Sequence, residues 1–292
     1  MIGGELVRTV FNSNEHLAEV SMHQATNSVI CPTRPGSFRA TEHKGVMDAL
    51  KEVVLARQYG AALIGRLSQV RPVRPGENIL EVGCASGALL HALSEMGFEC
   101  SGVDVSPVAV QTATELMDHV RTRPRISGAR AEALPFQSRS FDVVIARSLM
   151  EHVSDPVSVV SEAFRVLRPG GIFWFQTASA MCPFQNEIAR FPLFGWYPLS
   201  WKRRLMTWAV SHAPGLIGHT TTPAIHWFSD KTAARLLSEA GFGEIRDRWD
   251  LRGQSEGGAS YRKCLRLIQR YRVARVIANS IVSTCSYCGI KP

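Results

Sequence analysis

The sequence predicts an α/β fold built on a doubly wound sheet of mostly parallel strands. Two observations lead to this prediction. Between residues 78 and 175, short apolar runs alternate five times with segments of helical periodicity, which is the pattern of strands joined by crossover helices. Glycine or aspartate stands at the end of the first two apolar runs, and open parallel sheets bind their ligands beyond the carboxyl ends of the strands.

The segment before the first strand divides into two parts. Residues 1–45 lack clear periodicity, and we interpret them as an N-terminal arm or cap. From Met47 to Leu67, apolar residues recur at helical spacing, and the proline- and glycine-containing stretch 71–76 ends this predicted helix. We assign residues 46–292 to one large domain, since a chain of 292 residues suffices for a single α/β domain with insertions.

Five short strands are predicted in this domain. Each is rich in apolar residues, as expected for a strand that is buried on both faces of a sheet. They are Asn78–Val82, Cys100–Asp104, a segment near Ile126, Phe141–Ala146 and Ile172–Phe175.

Helices are predicted between these strands. The first has a leucine-rich face and ends at Gly97. The second begins near Pro107, where a proline is tolerated in the first turn. The third follows Asp155, a good N-cap residue, and its predicted buried face consists of Val157, Val160, Phe164 and Leu167.

The first two strand ends carry residues suited to a nucleotide-like ligand. Strand one ends in Glu81-Val-Gly83-Cys84-Ala85-Ser-Gly87, where glycines let the backbone approach a ligand. Asp104 ends strand two, and a carboxylate there can accept hydrogen bonds from ribose hydroxyls. A dinucleotide would require Gly-x-Gly-x-x-Gly, but two of these glycine positions carry Ala85 and Ala88. S-Adenosyl-L-methionine has no phosphate to accommodate, and its ammonium group suits the carboxylate of Glu81.

Four segments, taken together and in order, carry a family resemblance. They are Ile79–Gly87, Gly102–Ser106, Ala131–Phe136 with Ser140–Asp142, and Leu167–Gly171. In these segments the chain resembles class I S-adenosyl-L-methionine-dependent methyltransferases, in the small-molecule branch that includes ubiquinone- and menaquinone-biosynthesis enzymes. The resemblance covers about residues 75–178 and continues over 229–242. It implies a Rossmann-like sheet of about seven strands, an inserted lid after strand five, and S-adenosyl-L-methionine as the cofactor.

The resemblance also implies three groups of cofactor contacts. The methionine part lies against Glu81, the Gly83–Gly87 turn with Cys84, and Arg147 and Ser148 past strand four. Asp104 holds the ribose hydroxyls. The adenine lies against Val105, with Ala131 and Glu132 at its edge.

One position departs from the family pattern. Members commonly have an aspartate that accepts a hydrogen bond from the adenine amino group, and the corresponding residue here is Arg130. A guanidinium has no acceptor atom. We expect Glu132 or a backbone carbonyl to replace the missing contact.

His152, just past strand four, is the candidate catalytic residue. A histidine titrates near neutral pH and can act as a general base. Methyl transfer needs such a base only where the acceptor must lose a proton. The alternative is that His152 packs at the entrance of the next helix and orients the loop.

Residues 177–228 are interpreted as an insertion that covers the acceptor site. In the family, insertions at this place usually do so, and loops at strand ends commonly carry specificity. The segment is rich in aromatic residues: Phe184, Phe191, Phe194, Trp196, Tyr197, Trp201 and Trp208. They predict a flat acceptor of apolar or aromatic character. The alternative, compatible with the first, is a small separate hydrophobic core.

The last part of the chain raises two further possibilities. Lys263, Arg266 and Arg270 recur at helical spacing, opposite Leu267, Tyr271 and Ala274. This pattern indicates a basic amphipathic helix, which either contacts an anionic surface weakly or is simply solvated.

No metal site is predicted. His212, His219 and His226 lack the close spacing of metal ligands, and Cys285-x-x-Cys288 has no second half. If residues 283–290 form the last strand, the two cysteine side chains point to opposite faces of the sheet.

Composition sets the remaining expectations. Hydrophobic residues make up 45% of the chain and the net charge is +8, values typical of a globular protein with a basic surface. Charged residues interrupt the first twenty positions, so neither an apolar signal-peptide core nor a membrane span is expected. Together with seven scattered cysteines, this predicts a cytoplasmic protein with reduced thiols.

The leading hypothesis is methyl transfer to an oxygen, nitrogen or carbon of a small biosynthetic molecule. One alternative is a catalytically inactive scaffold that binds the cofactor, which Arg130 alone favours. Another is methylation of a macromolecule. The chain has no Asn/Asp-Pro-Pro-Tyr-type motif, so no nucleic-acid partner is expected. The oligomeric state is not predicted.

Overall fold

The computed structural model describes residues 46–185, 187–188, 191–217, 222–253 and 258–292. The predicted N-terminal arm, residues 1–45, lies outside these described residues, as does His219. The centre of the described chain is one seven-stranded sheet with the strand order β3-β2-β1-β4-β5-β7-β6.

Six strands of the sheet run parallel to one another, and β7 runs antiparallel to its neighbours β5 and β6. This confirms the predicted fold class and strand number. The strands are β1 (Asn78–Val82), β2 (Glu99–Asp104), β3 (Arg125–Gly128), β4 (Phe141–Arg147), β5 (Leu167–Ala178), β6 (Ile245–Asp247) and β7 (Thr284–Ile290).

Eight α-helices accompany the sheet in the part of the chain that the structure describes. They are α1 (Val46–Leu67), α2 (Ala88–Glu95), α3 (Pro107–Val120), α4 (Pro156–Val166), α5 (Leu199–His212), α6 (Asp230–Glu239), α7 (Ala259–Arg270) and α8 (Arg272–Asn279). The prolines at the starts of α3 and α4 follow Ser106 and Asp155, whose side chains accept hydrogen bonds from the first turn.

The alternation of strands and helices is interrupted once. Residues 129–140, between β3 and β4, form turns and contain no helix. Pro135 lies within this short connection, and Arg139 has a left-handed backbone with φ of 60°. The prediction of five regular alternations is therefore wrong at this connection, because its residues favour turns over helix.

Two hydrophobic layers cover the two faces of the sheet. In β4, Val143 and Ile145 pack with α1, α2 and α3, whereas Val144 and Ala146 pack with α4 and α6. This division explains the unbroken apolar run of the strand. Cys285 and Cys288 of β7 lie in different layers, so they point to opposite faces as predicted.

The buried face of α4 differs from the prediction. Val159, Val160, Ala163 and Val166 are buried, whereas Val157 is 56% exposed and Leu167 already belongs to β5. The two faces share Val160 and differ by a rotation of about 90° around the helix. Apolar residues occur on both faces, so helical periodicity alone selects the wrong one.

The predicted basic helix is two helices, α7 and α8, which meet at Tyr271. The buried residues of α7 are Tyr261, Leu265 and Ile268. Leu267 and Tyr271, which were placed on the apolar face of a single helix, are exposed. The prediction fails here because it continued one helical period through Tyr271, where the backbone is extended.

Candidate active site

The turn after β1 has a tightly constrained backbone. Gly83, Ala85 and Gly87 all have left-handed backbone conformations, with φ of 76°, 46° and 76°. A Cβ atom on Gly87 would lie 2.9 Å from Cε of Met117 and 3.1 Å from Cβ of Ala113. Glycine is therefore required at position 87 both for its conformation and for the close packing of α3.

Cys84 contributes to this turn only through its backbone. Its side chain is buried against Gly102, where a Cβ atom would lie 2.9 Å from Sγ of Cys84. Burial raises the pKa of the Cys84 thiol, and the nearby carboxylates of Glu81 and Asp104 raise it further. The thiol is thus an inert packing group. The N–H of Cys84 donates to the carbonyl of Val103 and its carbonyl accepts from the N–H of Gly87, so this residue shapes the turn.

Glu81 is a buried carboxyl group with an unsatisfied oxygen. Only 1% of the residue is exposed, and Oε2 has no hydrogen-bond partner among the described residues. Burial raises the pKa of Glu81 to about 7; Arg147 opposes this shift, whereas Asp104 adds to it. A buried carboxylate without a partner is unfavourable, so the site is suited to a ligand that supplies a cationic donor.

Arg147 lies beside Glu81 and is held by two residues that the sequence prediction missed. Its guanidinium carbon is 5.1 Å from the centre of the Tyr59 ring. The Tyr59 hydroxyl donates a hydrogen bond of 2.9 Å to Oε1 of Gln176, and Gln176 is the register neighbour of Arg147 on β5. Gln176 could have been found as a polar residue directly after the apolar run Ile172–Phe175, whereas nothing in the sequence distinguishes Tyr59.

Asp104 is oriented by two backbone amides. The N–H of Ala85 donates to Oδ2 and the N–H of Ser106 donates to Oδ1, each over 2.9 Å. Each carboxylate oxygen retains a lone pair for another donor. Val105, the next residue, is 68% exposed. A fixed acceptor and an exposed apolar side chain therefore stand side by side at the end of β2.

Residues 130–132 are engaged with the loop that follows β4. The Ser154 hydroxyl donates to Oε1 of Glu132 over 2.7 Å, and Nη2 of Arg130 lies 3.2 Å from the same oxygen. Nη2 of Arg130 also donates to the Ser154 hydroxyl over 3.0 Å. Ala131 packs in the hydrophobic layer of α4. Arg130 and Glu132 thus tie two loops together, and the side chain of Ala131 is mostly covered.

The loop after β4 contains two buried titratable groups. Glu151 accepts a hydrogen bond of 2.7 Å from the Thr177 hydroxyl, and burial raises the pKa of Glu151 to about 7. Burial lowers the pKa of His152, although hydrogen bonds with the backbone of Pro223 and Thr222 oppose this shift. Nδ1 of His152 is buried and has no partner among the described residues.

The sequence prediction did not single out Glu151. Its carbonyl oxygen accepts hydrogen bonds from the N–H groups of Ile225 and His226, over 2.8 Å and 3.2 Å. Glu151 therefore anchors the returning end of the insertion to the β4 loop. An acidic residue next to a strand end was the available signal, but its burial depends on distant residues.

The inserted segment begins at Ser179, because β5 continues through Ala178. Part of it forms a separate hydrophobic core around Phe194, Met206 and Trp227, which confirms that alternative for these residues. Nζ of Lys202 lies 4.0 Å from the centre of the Trp227 ring inside this core. Phe191 and Tyr197 pack against this core, whereas Phe184, Trp196, Trp201 and Trp208 are exposed.

The predicted residues therefore fall into two sets at one edge of the sheet. Glu81, the Gly83–Gly87 turn, Asp104 and Arg147 influence one another directly through hydrogen bonds or charge. His152 lies in the β4 loop against the insertion. Within the described ranges, no group of three or more His, Cys, Asp or Glu residues has the arrangement of a metal site.

Comparison with known proteins agrees with this arrangement. Residues 80–175 match the family model described as a methyltransferase domain. The ubiquinone biosynthesis O-methyltransferase of Pseudomonas fluorescens (strain Pf0-1) is 38% identical over 106 residues, which cover 35% of this chain and 44% of that protein. The enzyme of the same name from Pseudomonas putida (strain W619) is 36% identical over 106 residues, with the same coverage. The matched region is thus less than half the length of these relatives.

Two solved structures share the fold. The PH0226 protein of Pyrococcus horikoshii OT3 superposes with a TM-score of 0.53 at 18% identity, covering 81% of this chain and 91% of that one. Phosphoethanolamine N-methyltransferase 2 of Haemonchus contortus gives a TM-score of 0.52 at 16% identity, covering 83% and 57%. Of the described helices, none is both long enough and apolar enough to cross a bilayer. The family match and the sheet order lead to one conclusion: residues 80–175 of this chain carry an S-adenosyl-L-methionine-dependent methyltransferase domain, within a Rossmann-like α/β sheet.

Proposed function

We propose that this protein transfers the methyl group of S-adenosyl-L-methionine to an oxygen, nitrogen or carbon of a small apolar or aromatic molecule. One observation carries the proposal. Oε2 of Glu81 is a buried carboxyl oxygen without a partner among the described residues, at the end of β1. The ammonium group of the cofactor's methionine part can donate a hydrogen bond to this oxygen, and its positive charge complements the carboxylate.

The rest of the donor site fits the same ligand. S-Adenosyl-L-methionine supplies a methyl group on a positively charged sulfur. The methionine part is assigned to the Gly83–Gly87 turn, where left-handed glycines let the backbone approach a ligand and Cys84 shapes the turn through its main-chain bonds. Arg147 lies beside Glu81, where it suits the carboxylate of the methionine part. Alignment of donor and acceptor by such groups supplies much of the rate of a displacement reaction.

The nucleoside part is assigned to the end of β2. Asp104 accepts hydrogen bonds from the ribose hydroxyls, because two backbone amides already fix its carboxylate in place. The exposed side chain of Val105 lies against the adenine. Ala131 and Glu132 form the adenine edge, with Glu132 held there by Ser154 and Arg130. This arrangement gives Arg130 a positioning role.

The acceptor lies beneath residues 179–228. The exposed aromatic side chains Phe184, Trp196 and Trp201 support an apolar or aromatic acceptor, and the relatives named for ubiquinone biosynthesis support a small molecule. His152 is the candidate base. Burial lowers its pKa, so the neutral imidazole that accepts a proton predominates at pH 7, and the backbone of Thr222 and Pro223 holds the ring.

The donor site is tested by cofactor binding at different pH values. Because the pKa of Glu81 is about 7, binding of an ammonium should be about tenfold weaker at pH 5.5 than at pH 7. Glu81→Gln should lower the affinity at pH 7 and abolish this pH dependence. Isothermal titration calorimetry with S-adenosyl-L-methionine measures both effects. 5′-Methylthioadenosine, which lacks the ammonium, should bind independently of pH in this range.

Glu151→Gln is the matched control. It also removes a buried carboxyl group whose pKa is raised to about 7, but it lies in the other part of the site. The pH dependence of cofactor binding should survive this change. The donor assignment is wrong if wild type and Glu81→Gln bind the cofactor equally at both pH values.

The acceptor site is tested by a panel of a catechol, an alkylphenol and an aromatic amine, with release of S-adenosyl-L-homocysteine as the readout. Exchange of Phe184, Trp196 and Trp201 for serine should abolish turnover of the best acceptor and leave cofactor affinity unchanged. Exchange of the buried Phe194 instead should unfold the insertion core. Loss of cofactor binding in the triple variant would assign these residues to the donor site.

A further inference from the structure

The outer surface of α7 and α8 carries an apolar patch. Six large apolar side chains there are 45–72% exposed. They are Leu267, Tyr271, Val273, Val276, Ile277 and Ile281. Apolar residues scattered singly over a surface are normal, but six exposed ones within fifteen positions of one helix pair are a concentration typical of an interaction site.

The orientation of α8 is fixed from its inner side. Arg275 forms ion pairs with Asp247 and Asp250, at 3.0 Å and 2.7 Å. The side chain of Asn279 accepts a hydrogen bond from Nε1 of Trp249 and donates one to Asp230. The inner face of this helix thus combines these polar contacts with Ala278, which packs in a hydrophobic cluster, whereas its outer face is apolar. A helix that packs on a core usually presents a polar outer face to water.

The chain segment that carries the patch has charges of one sign. Residues 258–292 contain no aspartate or glutamate. Four exposed basic residues accompany the apolar patch in this segment: Lys263, Arg266, Arg270 and Arg272. A surface that combines exposed apolar side chains with a rim of basic residues has the composition of a helix that lies in a membrane interface.

We propose that the outer face of α7 and α8 binds peripherally to the surface of an anionic phospholipid bilayer. The apolar side chains enter the boundary between headgroups and acyl chains, and the basic residues attract the anionic headgroups. Charge complementarity decides this occupant. A nucleic acid would satisfy the basic residues but not the apolar ones, and a second copy of the same face would bring like charges together.

The position of the patch relates it to the carboxyl edge of the sheet. The N–H of Ser179, at the start of the insertion, donates a hydrogen bond of 2.8 Å to the carbonyl of Ser283, just before β7. The chain thus passes from α8 to the edge that carries the proposed site within a few residues. Binding through α8 brings that edge close to the bilayer, although the proposal itself does not depend on the enzymatic activity.

The proposal is tested by co-sedimentation of the full chain with vesicles. Vesicles of phosphatidylcholine alone are compared with vesicles in which a third of the lipid is phosphatidylglycerol. The chain should bind the anionic vesicles strongly and the neutral ones weakly, and 0.5 M salt should release it because the attraction is screened. Arg266→Gln with Arg270→Gln should weaken binding about thirtyfold, at about fivefold for each residue.

Apolar variants separate the bilayer from other anionic partners. Val273→Ser with Ile277→Ser should weaken vesicle binding at least about tenfold, since both side chains leave water on insertion. Val54→Ser with Val157→Ser, two equally exposed valines on α1 and α4, should leave binding unchanged. All four positions are exposed, and thermal unfolding checks that each variant keeps its fold.

Three results would overturn the proposal. The first is that the folded chain binds neutral and anionic vesicles equally, or binds neither kind. The second is a dimer in sedimentation velocity that Val273→Ser with Ile277→Ser dissociates, because a second copy then covers the face. The third is salt-sensitive binding to a single-stranded oligonucleotide that the arginine variants abolish while vesicle binding stays unchanged.

Discussion

The two halves of the sheet's carboxyl edge are built from different kinds of contact. Apart from Arg147, which ends β4, the donor half lies at β1 and β2 and is held by bonds within and between neighbouring strand ends, such as those from Ala85 and Ser106 to Asp104. The acceptor half, at β4 and β5, is held by bonds to the far end of the insertion, such as that from Ile225 to Glu151. Backbone conformation therefore determines the donor half, whereas packing of a distant segment determines the acceptor half.

This difference has a consequence for specificity. The insertion is anchored at Glu151 in the β4 loop, so we expect exchange of its exposed aromatic residues to leave the turn between β1 and α2 undisturbed. Loops carried by a rigid scaffold commonly vary in this way. The following variants compare the two halves, from the largest expected effect to the smallest.

His152→Gln against His226→Gln tests the acceptor half. Burial lowers the pKa of both histidines. If His152 is the general base, its replacement lowers the single-turnover rate of methylation by about 10²–10⁴-fold. The wild-type rate should also rise with pH through a pKa below 6.5 and then level off. His226→Gln should retain the rate and its pH profile. Equal rates in the two variants would leave His152 with a loop-orienting role only.

Gly87→Ala against Gly170→Ala tests the donor half. Both glycines have φ of 76°, but a Cβ atom would meet Met117 and Ala113 at position 87 and no atom within 4 Å at position 170. The left-handed conformation costs about 1 kcal/mol in each variant. Overpacking adds about 2–3 kcal/mol at position 87 alone. Urea unfolding measures both losses, and equal losses would show that α3 yields to the added methyl group.

Glu151→Gln tests the buried carboxyl group of the acceptor half through stability. The pKa of Glu151 is about 7 in the folded chain and 4.5 ordinarily. The unfolded state therefore loses its proton first, and this group lowers the free energy of unfolding as pH rises from about 4.5 to about 7. Relative to wild type, the variant should gain about 3 kcal/mol over that range. Buried histidines make the free energy of unfolding rise with pH. They do so equally in wild type and in the variant, so the difference between the two proteins does not contain their contribution.

The control for this experiment is Glu115→Gln, a variant that removes an exposed carboxyl group. Glu115 lies on the surface of α3, and its replacement should leave the pH dependence of stability as in wild type. A parallel shift in both variants would mean that net charge, and not burial of Glu151, sets the slope.

Asp104→Ala against Asp118→Ala gives the smallest effect. Loss of a charge-assisted hydrogen bond to ribose should weaken S-adenosyl-L-methionine binding by about 2 kcal/mol, or about thirtyfold. Asp118 is exposed on the neighbouring helix α3, and its replacement should not change the affinity. Titration calorimetry on both variants measures the difference. Unchanged binding by Asp104→Ala would remove the end of β2 from the cofactor site.

The two halves also differ in how far the sequence predicted them. Glu81 and Asp104 were predictable because they end apolar strands, and the rule that ligands bind at strand ends needs no distant contact. Tyr59, which contacts Arg147, was not predictable, since its hydrogen-bond partner Gln176 stands 117 positions further along the chain. The burial of Glu151 likewise follows from Thr177 and Ile225. Periodicity failed for α4 and α7 because apolar residues occupy more than one face of each helix.

Ala85 has a further consequence for the choice among nucleotides. Its left-handed backbone, with φ of 46°, is a conformation that glycine would adopt without strain. This backbone stores roughly 1 kcal/mol of local strain. We expect the exposed methyl group of Ala85 to obstruct a pyrophosphate that approaches this turn. The side chain of Ala85 would therefore weaken the binding of dinucleotides by a steric clash, without strengthening the binding of S-adenosyl-L-methionine. Ala85→Gly should consequently yield a more stable but less discriminating protein.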